Sequence, residues 1–425
     1  MILRIVAGVL SLFLSVACAH GQSRKTDAIE IDTIKIDAIK IDDYHWQGIE
    51  RVVAIGDLHG DYAQYINVLR AAALVNSRGR WSAGKTHFVQ TGDVPDRGPD
   101  TRKIIDHLAK LKKQAEKKGG KVHTLIGNHE AMNSYGDLRY VTSDEFQAFA
   151  GKNAAENRER QWEFQLNRIR EIKPEEFLLM DLEQYRLQWE SEIPLGWVEH
   201  RLNWSPTGKY GQWVLGNQVA VMVNDTIFLH GGLSPEYCKY SLAELTDQAK
   251  LQLQNYQQGV KGVLNAENGP LWYRGLALED EDYFSPALDQ ILERYGASRI
   301  VVGHTPTGGV VWPRFNGRVV VNDTGIASHY GSNDGWLELS GGKAFAGYSD
   351  RKLELPVTAE GRIAYLEEVI SFKPDNQSLR KRLAEMTGTE PDPGIDLSGE
   401  ENSQTEETTA VPEPISPGIC RADSF

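Results

Sequence analysis

From Glu50 onward, short apolar runs end in polar, glycine-containing turns, and helical periods follow. Val52–Ile55, His87–Thr91 and Val122–Ile126 read as buried strands. The first two lead into helices near Tyr62–Leu74 and Asp100–Lys118, the second of them basic and amphipathic. Further strands are predicted at Val219–Val223, Thr226–Leu229, Arg299–Val302 and Arg318–Val321. Strands alternating with helices in this way predict an α/β fold. An insert over roughly 137–217 interrupts the pattern; it is rich in Glu, Arg and Trp (Trp162, Trp189, Trp197, Trp204) and mostly helical in period. A cap over a site and an ordinary helical subdomain with core tryptophans both fit it.

The ends of the chain follow other patterns. Residues 1–19 read as a secretion signal: Arg4 precedes an apolar run from Ile5 to Val16, and Ala17-Cys18-Ala19 suits cleavage after Ala19. Leu14–Cys18 also loosely resembles a lipoprotein box, which would acylate Cys18, although Ser15 fits such a box poorly. The apolar run is short for a membrane span, so export to the periplasm or cell envelope is the expectation, with a lipid anchor at Cys18 as the variant reading. Residues 20–49 hold a repeat, Ala28–Asp32, Thr33–Asp37 and Ala38–Asp42. Its alternation suits an edge strand, but three copies are too short for a solenoid, and a duplicated linker is expected. The main domain is placed at 50–372. A C-terminal extension follows at 373–425, expected to be disordered beyond about residue 390, where Glu, Ser, Thr and Pro dominate.

With 425 residues, 40% of them hydrophobic, the chain can bury a full core. The formal charge of −13 argues against a nucleic-acid track, which needs a basic surface. An anionic substrate must then be held by a few local cations. Once Cys18 is removed or acylated, Cys238 and Cys420 remain. They could pair in an oxidising envelope, but Cys420 falls in the tail expected to be disordered, so no disulfide framework is predicted.

The chemistry lies at strand ends. Gly56-Asp57-Leu58-His59-Gly60, Gly92-Asp93-Val94-Pro95-Asp96-Arg97-Gly98 and Gly127-Asn128-His129-Glu130 each follow a predicted strand, on the rim where α/β sheets place sites. Asp57 and His59, two apart, face one side of an extended segment and can share a cation. Asp93 can bridge two ions through its two oxygens, and Asn128 offers a neutral oxygen to the second. His230 and His304, at two later strand ends beside glycine, complete that ion's ligands. Such a set suits manganese, iron or zinc, with Mn²⁺ first. Suitable ligands at five separate strand ends make chance an inadequate explanation. His20, His45, His87, His107, His123, His200 and His329 are read as structural.

Two divalent ions side by side are what phosphate-ester hydrolysis asks for. Unaided, that bond needs a barrier reduction on the order of 20 kcal/mol, of which general acid–base help supplies only about 10²–10⁴ in rate. Paired ions turn water into hydroxide near neutral pH and hold phosphoryl oxygens. Arg97, and Arg274 in Leu271-Trp-Tyr-Arg-Gly275, are the expected grips on phosphate. His129 can protonate the leaving oxygen, oriented by Asp96, or can simply hydrogen-bond the hydroxide or phosphate.

These residues resemble the calcineurin-like metallophosphoesterases, and more narrowly the PPP-type phosphoprotein phosphatases. The matched pattern is GDxHG, GDxxDRG, GNHE, then two histidines with an arginine between them, over roughly 50–330. Gly127–Val141 is similar to the Shewanella-like protein phosphatases. The resemblance implies a β-sandwich flanked by helices on both faces. It also implies Asp57, His59 and Asp93 on one metal, and Asp93, Asn128, His230 and His304 on the other. Arg97, Arg274, Asn128 and His129 would engage phosphate. The implied activity is dimetal phosphoprotein hydrolysis, on phosphotyrosine or phosphoserine/threonine. Hydrolysis of dinucleoside polyphosphates or other small phosphoesters is the alternative. Pro95, and Asn322-Asp323-Thr324-Gly325 after His304, depart from the eukaryotic pattern, which puts eukaryotic inhibitor and regulatory-subunit binding in doubt.

Overall fold

The computed structural model describes residues 39–389 and residue 420. The expected leader with Cys18, the first two repeat copies and the tail at 390–419 and 421–425 lie outside the described residues. The chain opens with β1 (Ile39–Lys40) and β2 (His45–Gln47). Strands β3 (Arg51–Ile55), β4 (His87–Gln90) and β5 (Lys121–Thr124) then alternate with helices α1 (Tyr62–Ala71), α2 (Thr101–Glu116) and α3 (Asn128–Tyr135). Six helices form the insert: α4 (Ser143–Phe149), α5 (Ala154–Ile172), α6 (Pro174–Leu179), α7 (Leu182–Glu192), α8 (Trp197–Trp204) and α9 (Lys209–Leu215). After them come β6 (Ala220–Val223), β7 (Thr226–Leu229), α10 (Leu242–Gln254), α11 (Gly275–Leu278) and α12 (Glu281–Tyr295). Strands β8 (Arg299–Val302), β9 (Trp312–Arg314), β10 (Val319–Val321), β11 (Trp336–Ser340), β12 (Lys343–Tyr348) and β13 (Arg351–Glu354) follow, then α13 (Ala359–Phe372) and α14 (Gln377–Thr387).

The strands form two sheets, one in the order β1-β2-β6-β7-β8-β10-β9 and one in the order β13-β12-β11-β3-β4-β5. Apolar side chains of both, such as Val53, Val89, Val122, Val221, Phe228 and Val301, are fully buried in one continuous core. The β3-β4-β5 trio is parallel, as are the β7-β8 and β8-β10 pairs. Their runs are buried on both faces, which explains why they read as short continuous apolar stretches. At one rim the Ile126 N–H donates to the Gln218 carbonyl (2.9 Å), joining the end of β5 to the lead-in of β6. The sheets are thereby tied together beside the loops that carry the motifs.

Three expectations need correction. The stretch read as linker up to residue 49 is partly sheet: β2 pairs in parallel with β6 through His45↔Met222 and Trp46↔Val223. The Asn224 side chain holds both the N–H and the carbonyl of Ile49 (3.0 and 2.9 Å). Buried Trp46 supplies the packing, and polar neighbours hid it in the sequence. The third repeat copy contributes β1, which pairs antiparallel with β2 as the edge strand. Cys420, placed in the tail expected to be disordered, is buried and disulfide-bonded to Cys238, their Cα atoms 5.0 Å apart.

The insert has its own aromatic core. The rings of Trp162 and Trp189 lie 5.2 Å apart, and Arg186 stacks 4.8 Å over Trp162. Trp204 is fully buried beside His200 and Tyr210. These tryptophans serve a helical subdomain that packs through α8 on α3. The residue of this region that lines the cleft is Tyr140, at its entrance.

Candidate dimetal site

The loops after β3, β4 and β5 of one sheet and after β7, β8 and β10 of the other meet in one cleft. Asp57, His59, Asp93, Arg97, Asn128, His129, Arg274 and His304 line it. His230 and Asp96 lie beneath, fully buried. The loops turn sharply: His59, Asp93, Asp96, Arg97 and His304 all adopt positive φ (42°, 56°, 73°, 64° and 63°). For non-glycine residues this costs on the order of 1 kcal/mol each, and packing must enforce it. Gly92 (φ +100°) has no such freedom to lose, because a Cβ there would lie 2.7 Å from the Gly127 nitrogen and 2.9 Å from His230 Nδ1. A Cβ on Gly303 would sit 2.5 Å from Asp57 Oδ1.

Glu130 organises the second and third loops. Its carboxylate accepts the backbone N–H groups of Gly127 (2.7 Å), Asp93 (2.9 Å) and Val94 (2.8 Å). In doing so it caps α3, whose first residues are Asn128 and His129. The His129 N–H donates to Asp93 Oδ1 (2.9 Å), so the positive end of α3 faces the Asp93 carboxylate. The Asp57 carboxylate accepts the His304 N–H, with both oxygens at 3.2 Å.

The histidine tautomers are fixed by carbonyls, which only accept. Nδ1 of His59 faces the Pro95 carbonyl (3.2 Å), Nδ1 of His230 that of Thr91 (2.9 Å) and Nε2 of His304 that of Trp272 (3.1 Å). Each of these nitrogens carries the proton, so the opposite nitrogen presents a lone pair to the cleft. Burial holds His59 neutral, lowering its pKa to about 3, and lowers that of His304 as well. His230 Nε2 consequently stands 3.2 Å from His304 Nδ1, 2.9 Å from Asn128 Oδ1 and 3.3 Å from Asp93 Oδ2. Two imidazole nitrogens, an amide oxygen and a carboxylate oxygen thus converge on one point. On the other side, His59 Nε2 lies 3.9 Å from both Asp57 Oδ2 and Asp93 Oδ2.

Carboxylates are crowded too. Burial, then Asp323 and Asp93, push Asp57 well up from its ordinary value, and burial raises Asp323 to about 6. Such a nest is short of positive charge, and two cations sharing Asp93 would supply it. The donor set, buried carboxylates with neutral imidazoles and an amide oxygen, fits divalent ions. Asp93-His230-His304 and His59-Asp93-His129 each place their ligand atoms within 4.8 Å of one another.

His129 differs from the other histidines. Its Nδ1 is bonded to Asp96, whose second oxygen accepts the Asn133 amide (2.8 Å). Burial opposes a charge there, but Asp93 and the bond to Asp96 outweigh it and raise the His129 pKa to about 9. Arg97 lies 4.2 Å over the Tyr140 ring, and its backbone N–H donates to the Tyr140 carbonyl (3.1 Å). Its buried Nε has no protein partner among the described residues. Arg274 is steadied by the His304 carbonyl (2.6 Å) and Thr305 Oγ1 (3.1 Å). Both guanidiniums open on the cleft.

The structure adds Asp323, Tyr140, Tyr330, Trp272 and Pro306 to the cleft. Asp323 follows β10 much as Asp57 follows β3, so an aspartate at a strand end was its available signal. The tyrosines had none. His87 and His123 pair with each other in the core (3.1 Å), away from the site.

The calcineurin-like phosphoesterase family profile matches residues 50–308. An uncharacterized protein of Schizosaccharomyces pombe is 33% identical over 300 residues, 68% of this chain and 77% of that one. Shewanella-like protein phosphatase 2 of Arabidopsis thaliana is 32% identical over 297 residues, 68% of this chain and 74% of its own length. Among solved structures, a cold-active protein-tyrosine phosphatase of a psychrophilic Shewanella species superimposes with a TM-score of 0.55 at 26% identity, over 74% of this chain and 83% of that one.

Proposed function

The chain belongs to the calcineurin-like phosphoesterase family, and we infer that within it this protein is a dimetal phosphoprotein phosphatase. One observation carries the reading: His230 Nε2, His304 Nδ1 and Asn128 Oδ1 converge on Asp93, a carboxylate that also lies beside His59. When bound, two divalent ions supply neutralisation of phosphoryl charge and an activated water. Asp57, His59 and Asp93 would hold one; Asp93, Asn128, His230 and His304 the other.

The remaining work falls to the chain's own groups. Arg97 and Arg274 draw the phosphate into the cleft and spread its charge over two guanidiniums, which offsets the repulsion from an acidic protein. His129, kept protonated by Asp93 and Asp96, stands at the cleft wall to give its Nε2 proton to the departing oxygen. Glu130 fixes the relative position of Asp93 and His129 and so keeps donor and phosphate in register.

The Shewanella structures are named as protein-tyrosine phosphatases and the plant relative as a protein phosphatase. Those names support phosphopeptides as substrates, with phosphotyrosine first. Manganese is the proposed metal. Export to the cell envelope is proposed on the pattern of residues 1–19. No helix among the described residues is long and apolar enough to cross a membrane.

Initial rates of the metal-stripped protein on matched phosphotyrosine and phosphothreonine peptides and on diadenosine tetraphosphate, with Mn²⁺ added back, test the activity. Metal-dependent release from a peptide is expected; activity on the dinucleotide alone would move the protein to small phosphoesters. Fractionation of cells expressing the full chain tests export.

A further inference from the structure

In the tight loop after β4, almost every backbone donor has a fixed acceptor. Glu130 takes the N–H groups of Asp93 and Val94 (2.9 and 2.8 Å), and Pro95 has none to give. The Tyr140 carbonyl takes the Arg97 N–H (3.1 Å), and the Gly98 N–H turns back to the Asp96 carbonyl (2.7 Å). Asp96 and Arg97 hold positive φ, so neighbouring groups must enforce this turn. The remaining donor is the Asp96 N–H, and it faces the carboxyl group of Glu145 on α4.

Glu145 is fully buried, and neither of its oxygens closes a hydrogen bond of full geometry among the described residues. The hydroxyl of Thr101, the first residue of α2, also faces it and is equally unpaired among them. The helix that carries Glu145 is pinned in place. Thr142 Oγ1 accepts the Glu145 N–H (3.3 Å), and Arg102 of α2 bonds the Ala148 carbonyl and lies 5.1 Å over the Phe149 ring. A carboxyl group is costly filling for such a place. Burial and the nearby Asp96 push its pKa well up, so it stays the neutral acid. Its carbonyl oxygen can then take the Asp96 N–H while its O–H donates to Thr101.

We propose that Glu145 is a positioning residue, which holds the Asp96 turn so that the Asp96 carboxylate stays aimed at His129. The first helix of the insert thereby takes part in proton delivery. The proposal rests on the phosphatase reading and concerns its proton donor.

Glu145→Gln keeps a carbonyl acceptor and an N–H donor, whereas Glu145→Leu keeps neither. Both are measured with Mn²⁺ on phenyl phosphate and on p-nitrophenyl phosphate, whose phenolate leaves without a proton. The Leu variant is expected to lose roughly tenfold or more in kcat on phenyl phosphate and clearly less on the nitrophenyl ester, with its manganese content unchanged. The Gln variant should match the parent. Equal losses on the two esters, as a merely structural residue would give, overturn the proposal. So does parent-like activity in the Leu variant, or a Gln variant as impaired as Leu. Should the Leu variant fail to fold, Glu145→Asp, with the same acid one methylene short of the turn, is held to the outcomes set for Leu. Absence of turnover in the parent would instead defeat the phosphatase reading. Glu145 is then judged by proton NMR of the metal-free protein. The His129 Nδ1 proton shared with Asp96 should resonate far downfield in the parent and the Gln variant, and its persistence in the Leu variant overturns the positioning role.

Discussion

Asp93 Oδ2 lies 3.3 Å from His230 Nε2 although the two residues follow strands of different sheets, β4 and β7. The cleft is thus built across the seam of the sandwich, with Asp57, His59, Asp93 and Asn128 coming from loops of one sheet and His230 and His304 from loops of the other.

Loss of the shared carboxylate should therefore be the most damaging single change. Asp93→Asn is expected to lower kcat by roughly 10³-fold or more, since the ions supply several kcal/mol of charge stabilisation. His304→Ala should do likewise. Metal content by atomic emission should fall in both while far-UV circular dichroism stays unchanged. Full activity in either variant would sink the site assignment.

Metal removal should also cost stability. Without cations, burial and the neighbouring carboxylates, Asp93 among them, hold Asp57 and Asp323 above their ordinary values. Ions that bind only the native state stabilise by about 2.7 kcal/mol at a hundredfold excess over Kd. Chelation should lower the thermal midpoint, and Mn²⁺ should restore it; an unchanged midpoint would mean that the cations do not hold the seam.

Proton delivery by His129 can be separated from binding. His129→Ala should cost about 10²–10⁴ in kcat, and Asp96→Asn about 10–100-fold through loss of orientation. Both deficits should shrink on p-nitrophenyl phosphate relative to phenyl phosphate, because a stabilised phenolate needs no proton. Equal deficits on the two esters would assign His129 to phosphate binding.

Acid should weaken the fold well above the carboxylate range. Burial lowers His87 to about 4 and His200 to about 3, and holds His123 well below its ordinary value. An unfolded histidine takes its proton near pH 6.5. As pH falls from 6.5 towards 4, the unfolded chain binds protons that the native chain refuses, so native stability falls. His87 alone accounts for on the order of 3 kcal/mol by pH 4. His200 sits among Phe146, Phe149 and Trp204 with neither ring nitrogen paired among the described residues. His200→Phe should raise stability by about 1 kcal/mol and flatten the acid slope of the urea midpoint.

The Cys238–Cys420 bond closes a separation of 182 residues. In the chain-entropy account such a link is worth at most roughly 5 kcal/mol. Reduction, or Cys238→Ser, should lower the thermal midpoint, and the variant's midpoint should no longer respond to reductant.

The cleft residues Asp57, His59, Asp93, Asn128, His230 and His304 were legible because each is a polar residue in a glycine-containing turn after an apolar strand. Strands β3, β4, β7 and β8 were legible because parallel strands buried on both faces leave continuous apolar runs. What escaped had a tertiary cause. Trp46 and His45 join a sheet whose partner, Met222–Val223, lies far along the chain. Tyr140 and Tyr330 reach the cleft from loops without a periodic pattern, and Cys420 gains its order from a distant bond. Asp323 carried the right residue type at a strand end, but within a stretch noted only for its departure from related sequences.

The insert meets the site at Tyr140 and beside Asp96, where Glu145 of α4 is fully buried. Tyr140 is tethered to Arg97, and Arg201 on α8 bonds the Asn133 carbonyl of α3. Its outer helices, with Leu178 and Leu179 in solvent, lie beyond those two anchors. Substitutions confined to those outer faces should therefore leave the geometry of the reaction centre as it is.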